Sequence, residues 1–128
     1  MGAWTSDELT KIGTAEELRI ASRRPDGTLG RPRTIWVVRD GDDLYVRSVN
    51  GRGSYWFRGA EGRHEAHIRA GGVDKDVDLV EIDDMNDELD TAYRAKYGRR
   101  YASIVPSIVT LEARAATLKL VPRSEEKQ

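Results

Sequence analysis

Cysteine is absent from this chain, and so are long apolar runs. Without cysteine there are no disulfide bonds, no thiolate nucleophile and no zinc–thiolate site. No stretch approaches the ~18 consecutive apolar residues of a membrane-spanning helix, and the opening residues MGAWTSDELTKIG contain no apolar signal segment. We therefore expect a cytoplasmic protein without a membrane partner.

An excess of charge of one sign is also absent. The 21 basic residues nearly cancel the 22 acidic ones, so no overall field attracts nucleic acid. Basic and aromatic side chains do mix between Arg47 and Arg63. Acidic residues at 40, 42 and 43 lie close by in sequence, however, and would repel a phosphate backbone. We expect no nucleic-acid partner, and any anion site must be local.

Residues for hydrolysis or metal binding are scarce. The two histidines, His64 and His67, are three apart, which places them on opposite faces of a strand and disfavours a shared metal ion. The Gly-x-Ser-x-Gly elbow of serine hydrolases is missing. Asp74, Asp76 and Asp78 alternate as the solvated face of a strand does, although paired-carboxylate catalysis stays open. We expect no metal site.

Two helices are predicted. A capping box at Thr5–Glu8 begins the first helix, which ends at Gly13. An apolar stripe at four-residue spacing marks the second: Met85, Leu89, Tyr93 and Tyr97. Asp83 and Asp84 precede it as caps, and Gly98 ends it.

Six strands are predicted from apolar alternation and turn residues. Their ranges are 17–22, 33–39, 44–49, 63–70, 73–82 and 108–121. We expect the second and third to be central, and the last to carry a bulge or a bend near Ala115. Six hairpin-connected strands with two helices indicate an α+β domain over residues 1–122, in which an antiparallel sheet curls into a small barrel. Residues 123–128 are predicted to be a flexible tail.

The segment from Leu44 to Ala60 contains the candidate site. A strand runs into Asn50-Gly51-Arg52-Gly53, a turn that tolerates positive φ, and Ser54 is placed to cap a short helix. Backbone amides together with Arg47, Ser48, Arg52 and Gly53 form a candidate anion cradle. The same pattern is typical of corners that only redirect the chain, so both interpretations stay open.

Aromatic residues near this corner have two interpretations. Trp56 and Trp36 either pack in the core or stack on a planar ligand, and Trp56 is favoured as a ligand contact because it follows the corner. Tyr93 either packs with Tyr97 or places a phenol in a ligand cavity as a weak acid, which makes it the one candidate catalytic residue.

The order of these elements resembles the split β-barrel superfamily, which includes pyridoxine-phosphate-oxidase-like proteins and deazaflavin-dependent nitroreductases. Arg24, Gly27 and Arg31 resemble the Arg-x-Ser-Gly-x-x-Arg turn of those nitroreductases, and residues 56–60 resemble their Trp-Tyr-x-Asn-Leu helix. The chain is most similar to the uncharacterised DUF2255 family. The match spans about residues 18–83, and residues 92–97, AYRAKY, resemble a helix of the DUF2255 family.

This resemblance implies a homodimer that binds FMN or a deazaflavin in a groove between subunits. It places the phosphate near Arg47, Ser48, Arg52 and Gly53, and it implies a reductase acting on a small molecule. Gly59-Ala60 replaces the Asn-Leu pair of the resembled helix. That difference leaves open a cofactor-free protein that binds a small aromatic or apolar ligand, as a binding module or as an isomerase or cyclase.

Overall fold

The first helix begins where the capping box predicts. The computed structural model describes residues 4–49, 51–53, 56–58 and 64–123. Helix α1 spans Ser6–Gly13, and its N-cap Thr5 accepts a hydrogen bond from the Glu8 amide at 3.1 Å while the Glu8 carboxylate accepts one from the Thr5 amide at 3.0 Å. The predicted capping box is therefore confirmed. Leu9 and Ile12 of this helix are buried.

Helix α2, Asn86–Tyr97, buries the predicted stripe. Leu89, Tyr93 and Tyr97 are buried, and the Gly98 amide donates to the Arg94 carbonyl at the C-terminus. The predicted caps are wrong, because the N-cap is Met85 and no side chain caps the helix. The apolar stripe therefore predicts where the helix lies, whereas the two aspartates predicted to cap its N-terminus do not cap it.

The described residues contain seven strands in one antiparallel sheet. They are β1 (Leu18–Ser22), β2 (Arg33–Ile35), β3 (Val37–Asp40), β4 (Asp43–Arg47), β5 (Glu65–Ala70), β6 (Val73–Glu81) and β7 (Thr117–Pro122). The strand order is β2-β1-β5-β6-β7-β4-β3. Strands β2 and β3 lie at opposite ends of this order, yet only Trp36 separates them in sequence. The sheet must therefore curl on itself, which gives the predicted α+β, nearly closed barrel.

The predicted single strand over residues 33–39 is instead two strands. The Trp36 ring turns toward α2 and stacks on Tyr97, with ring centroids 3.9 Å apart and planes 4° from parallel. The Val37 carbonyl accepts hydrogen bonds from Lys96 Nζ at 2.6 Å and from the Tyr97 hydroxyl at 3.2 Å. These contacts from α2 break the strand at Trp36. They also make the prediction of two central strands wrong, since β3 ends the sheet.

The first part of the predicted last strand is mostly helical. Helix α3 spans Val105–Ile108 and α4 spans Leu111–Arg114, and β7 begins only at Thr117. Thr110 caps α4 by accepting a hydrogen bond from the Ala113 amide at 3.0 Å. Apolar alternation before Ala115 was therefore misleading, and Leu111 is 81% exposed.

Alternate residues of β3 and β4 face two separate cores. Val37 and Val46 pack inside the barrel, whereas Val38 and Tyr45 pack outward against α2 and α3. The two-residue period of a strand explains this division. Helix α2 thereby covers the outer face of the β3–β4 hairpin, next to the corner that follows β4.

The C-terminal end of the described chain is held by the sheet. The Arg123 amide donates to the Asp76 carbonyl at 3.1 Å, and its guanidinium pairs with Glu65 at 3.1 Å. Residues 124–128, the rest of the predicted tail, lie outside the described residues, as does the predicted cap Ser54. None of the helices in the described ranges combines the length and apolar character needed to span a membrane.

Gly71 and Gly72 form a matched pair for testing the turn between β5 and β6. Both have positive φ, 58° and 88°, but a Cβ on Gly71 would lie 2.2 Å from the Lys11 carbonyl oxygen whereas one on Gly72 meets nothing within 4 Å. We expect Gly71→Ala to lower the free energy of unfolding by about 2 kcal/mol more than Gly72→Ala, because only the first adds a clash with backbone. Urea denaturation measures both, and equal losses would contradict the close packing of α1 on this turn.

Candidate ligand-binding grooves

Two grooves open beside Trp56, one apolar and one basic. The apolar groove has a volume of about 630 Å³ and is walled by Ile35, Trp36, Val49, Trp56, Tyr101 and Ile104. The arginine groove has a volume of about 550 Å³ and is walled by Ser22, Arg23, Arg24, Arg31, Gly53 and Arg58 together with Trp56. Both volumes lie within the range of about 300–1,000 Å³ that is common for small-molecule sites.

Aromatic packing shapes the apolar groove. The Trp36 ring stacks on Tyr97, and its centroid lies 5.4 Å from that of the Tyr101 ring. Val49 and Ile104 on the same groove remain 44% and 48% exposed. Rigid indole and phenol rings beside uncovered aliphatic groups provide a surface on which a planar apolar molecule stacks well.

A tight turn after β1 builds the arginine groove. The Gly27 amide donates to the Arg24 carbonyl at 2.8 Å, and the Arg24 amide donates to the Thr28 carbonyl at 2.7 Å. Gly27 has φ of 93°, which suits glycine. The chain therefore reverses, and Arg31 returns to the groove that Arg24 lines. Arg58 reaches the groove from the helical turn at residues 56–58.

Two of the four arginines in this groove have no carboxylate partner among the described residues. Arg23 donates to the Gly27 carbonyl at 2.7 Å and pairs with Asp76 at 3.2 Å, and Arg24 donates to the Leu29 carbonyl at 2.9 Å. Arg31 and Arg58 are exposed and have no ion-pair partner within the described ranges. No carboxylate stands among the described residues that line the groove. Such a site attracts anions.

The predicted cofactor-binding residues divide between the grooves. Arg47, Ser48 and Trp56 line the apolar groove, and Gly53 and Trp56 line the arginine groove. Arg52 is not among the described residues that line either one. The corner after β4 thus does face both grooves, and Trp56 forms the wall that they share.

Arg47 has a different role from the predicted phosphate contact. Its guanidinium is fully buried and directs its five N–H donors to five acceptors: Thr117 Oγ1, Asp90 Oδ1 and the Ile108 carbonyl, and both the carbonyl and the side-chain oxygen of Asn86. A guanidinium has five N–H donors in all, so none remains for a ligand. Arg47 therefore joins β4 to α2, α3 and β7.

Arg52 is likewise engaged by the protein. It donates to both carboxylate oxygens of Glu81, at 2.8 and 3.1 Å, and to the Ala115 carbonyl at 3.0 Å. This pair lowers the pKa of the Glu81 carboxyl. The predicted convergence of Arg47 and Arg52 on one anion is not observed, because each guanidinium has its own set of protein partners.

Tyr93 lies in the core rather than in a ligand cavity. Its side chain is fully buried between Tyr97, 6.3 Å away ring to ring, and the Arg47 guanidinium carbon, 5.4 Å from the ring centroid. Burial raises the pKa of its phenol far above the ordinary value. A group so placed has no access to a molecule in either groove, so the predicted acid role has no geometric support.

The arginine groove is the feature that sequence reasoning left unassigned. In sequence, Arg24 and Arg31 belong to the resembled turn motif, whereas Arg58 belongs to the resembled helix and to the basic and aromatic segment between Arg47 and Arg63. The spacing of seven residues between Arg24 and Arg31, along a turn-rich segment, is the signal that the sequence offers. What brings them together is the reversal at Gly27. Within the described ranges, no cluster of three or more His, Asp or Glu side chains is placed to hold a metal ion.

The buried pair Arg47–Asp90 offers a sharp test of the support beneath the corner. Nη1 of Arg47 lies 2.5 Å from Asp90 Oδ1, and the Asp90 side chain is only 11% exposed. We expect Asp90→Asn to lower the free energy of unfolding by about 3–5 kcal/mol, since it leaves a buried guanidinium without a counter-charge.

Asp87→Asn is the matched control for that substitution. Asp87 and Asp90 both pair with Arg114, but the Asp87 side chain is 95% exposed. An exposed ion pair contributes little to stability. The free energy of unfolding of this variant, measured by urea denaturation, should therefore lie within about 0.5 kcal/mol of that of the unmodified protein. A small loss for Asp90→Asn, similar to that of the control, would refute the structural role of Arg47.

Solved structures with this fold belong to several kinds of protein. HutZ from Vibrio cholerae, described as a heme storage protein, has a TM-score of 0.62 and 14% identity, with 93% of this chain and 90% of that chain covered. A protein described as an F420 reductase has a TM-score of 0.53 and 14% identity, covering 91% and 93%. An FAD-binding protein from Mesorhizobium loti has a TM-score of 0.58 and 16% identity, covering 95% and 92%. At these identities the likeness establishes the split-barrel fold alone.

The sequence itself matches one family model. None of the curated proteins matches this chain. The model of uncharacterised proteins conserved in bacteria, DUF2255, matches residues 8–120. Since that range covers most of the 128 residues, this split-barrel chain belongs to the DUF2255 family.

Proposed function

We propose that this protein binds a flavin-type cofactor, FMN or a deazaflavin, across Trp56 and uses it to reduce a small molecule. The observation that carries the proposal is the junction of two grooves at one tryptophan. One groove is aromatic and apolar, and the other presents four arginines. A flavin nucleotide has the matching division into a planar ring and an anionic phosphate tail.

The residues present fit such a molecule. Trp36, Tyr101 and Trp56 offer rings and ring edges for the planar end. Arg31 and Arg58 offer guanidinium groups that no described residue pairs with, which suits bidentate contact with phosphate. The grooves would bind, orient and shield the cofactor, while the bound ring itself supplies hydride transfer. That chemistry requires few catalytic side chains.

The structural relatives support the same class of ligand. One is described as an F420 reductase, another as an FAD-binding protein and a third as a heme storage protein. Heme, like a flavin nucleotide, is a planar molecule with anionic groups. These descriptions apply to those proteins. For this chain they favour a planar anion over an unrelated ligand, in agreement with the grooves.

A second candidate is a cofactor-free protein that binds a neutral aromatic molecule. The apolar groove alone supports it, because its exposed aliphatic and aromatic walls need no phosphate to be filled. Arg47 and Arg52, the two arginines nearest this corner in sequence, are already bonded to the protein. Under this proposal the arginine groove would contribute nothing to affinity.

Substituting the unpaired arginines separates the two candidates. We expect Arg31→Gln and Arg58→Gln each to weaken FMN binding about tenfold or more, because a charge-assisted contact with phosphate is lost, and to leave riboflavin binding unchanged. Quenching of flavin fluorescence on titration measures both ligands. Arg99→Gln, at an exposed position in the turn that follows α2, serves as the control.

The outcomes of that titration are distinct. Equal weakening of FMN and riboflavin would show that the arginines do not hold the phosphate. Protein that quenches neither flavin nor deazaflavin, and that carries no flavin absorbance when purified, would end the redox proposal. Stabilisation by neutral aromatic molecules alone would favour the second candidate.

We further propose that the chain forms a homodimer through the rim of the apolar groove. Val49 and Ile104 are exposed there, and burying such side chains against a second copy would remove apolar area from water. We expect Ile104→Ser to shift the protein toward monomer in analytical ultracentrifugation. Val80→Ser is the control, since Val80 is also exposed, at 41%, but lies on β6 away from the groove. A shift of equal size in both variants would contradict this placement.

A further inference from the structure

His67 lies at the centre of a charged lattice on the outer face of the barrel. In the sheet register it pairs with Ala21 of β1 on one side and with Asp76 of β6 on the other. Outward-facing charges surround it on and next to all three strands: Arg19 on β1 and Arg23 directly after β1, Glu65 and Arg69 on β5, and Asp74, Asp76 and Asp78 on β6. Arg123 adds ion pairs to Glu65 and Asp78 at the edge of this lattice.

Both ring nitrogens of His67 face carboxylates. Nδ1 lies 2.7 Å from Asp76 Oδ1, and Nε2 contacts Asp74 Oδ1. Only the imidazolium form donates from both nitrogens, since neutral imidazole turns a lone pair toward one of the two oxygens. Burial lowers the pKa of this ring, but the hydrogen bonds that the ring donates to Asp76 and Asp74, with the negative charges of these carboxylates, outweigh burial and raise the pKa above its ordinary value. The two carboxylates therefore stabilise the protonated imidazolium form of His67.

The same oxygen connects His67 to the arginine groove. Asp76 Oδ1 also accepts a hydrogen bond from Nη2 of Arg23, at 3.2 Å, and Arg23 lines that groove. A carboxylate oxygen shared between an imidazolium and a guanidinium has its charge divided between them. When the imidazole loses its proton, the carboxylate neutralises Arg23 more completely.

We propose that the protonation state of His67 regulates anion binding in the arginine groove, with protonation strengthening it through Asp76 and Arg23. This inference rests on the proposed function of that groove as a phosphate site. Loss of the proton removes one unit of positive charge from the lattice next to Arg23. Anion affinity is therefore expected to fall as pH rises through the range in which His67 titrates.

The lattice contains one group suited to this role. Histidine is the side chain whose ordinary pKa lies near neutral pH, and the sequence has only two of them. The other, His64, stands just before β5. His64→Asn is therefore a matched control, and Asn suits its φ of 60°.

The test compares FMN affinity between pH 5.5 and 8.5 in four proteins: the unmodified chain, His67→Gln, His67→Lys and His64→Asn. The phosphate of FMN titrates in this range too, but the ratio of two dissociation constants at one pH cancels that effect. We expect His67→Gln to bind about fivefold more weakly than the unmodified chain at low pH and equally at high pH, because only the unmodified chain gains the charge. His67→Lys, permanently charged, should keep the tighter binding across the range relative to the unmodified chain.

Proton NMR of the imidazole rings gives a second readout. With two histidines, the His64→Asn spectrum assigns the His67 signal directly. Because coupling is reciprocal, saturation with FMN should raise the titration midpoint of His67 by about 0.7 unit, which corresponds to a fivefold effect. A His67 midpoint that FMN leaves unmoved, or a constant affinity ratio across pH, would overturn the inference while leaving the phosphate site intact.

The outcomes also separate this inference from the proposed function. Failure of FMN to bind at every pH would overturn both, since there would be no anion site to regulate. Tight FMN binding that depends on Arg31 and Arg58 but has the same pH profile in His67→Gln would overturn only the regulation. Riboflavin, which has no phosphate, should show no dependence on His67 in any variant.

Discussion

The buried guanidinium of Arg47 is the interaction on which the rest of this structure depends. Its five N–H donors reach Asp90 and Asn86 on α2, the end of α3 and the first residue of β7. A charge taken out of water needs both a counter-charge and complete hydrogen bonding. Here both conditions are met by elements that are far apart in sequence. Arg47 therefore fixes the end of β4, from which the chain turns toward Trp56.

The other arginines show how tertiary position decides the role of one residue type. Arg47 directs its hydrogen bonds to buried groups of the protein, and Arg52 pairs with Glu81 at the surface. Arg31 and Arg58 face a groove in which no described residue supplies a counter-charge. Near-zero net charge thus conceals a local excess of positive charge. Local excess of this kind, beside an aromatic wall, is what suits a planar anionic ligand.

Local signals predicted much of the fold. The capping box at Thr5, the stripe of α2 and the alternation of the two strands predicted at 63–70 and 73–82 each act over a few residues, so sequence spacing reveals them. The errors occur where distant contacts outweigh propensity. Trp36 leaves its strand to stack on Tyr97, and residues 108–114 lie mostly in two short helices although their alternation is typical of a strand. The candidate site followed the same rule: the corner facing the grooves was found, but the arginines that line the basic one were not assigned.

By itself, the sequence determined the chemical limits of this protein: no thiol chemistry, two imidazoles, balanced charge, and a corner of glycine, arginine and tryptophan after a strand. These depend on composition and neighbouring residues only. The tertiary structure decided which guanidinium groups are buried and which face a groove, and it brought His67, Asp76 and Arg23 into one hydrogen-bonded chain. Strand pairing and chain reversal create those juxtapositions, because they join residues up to 70 positions apart, a separation across which no local sequence pattern operates.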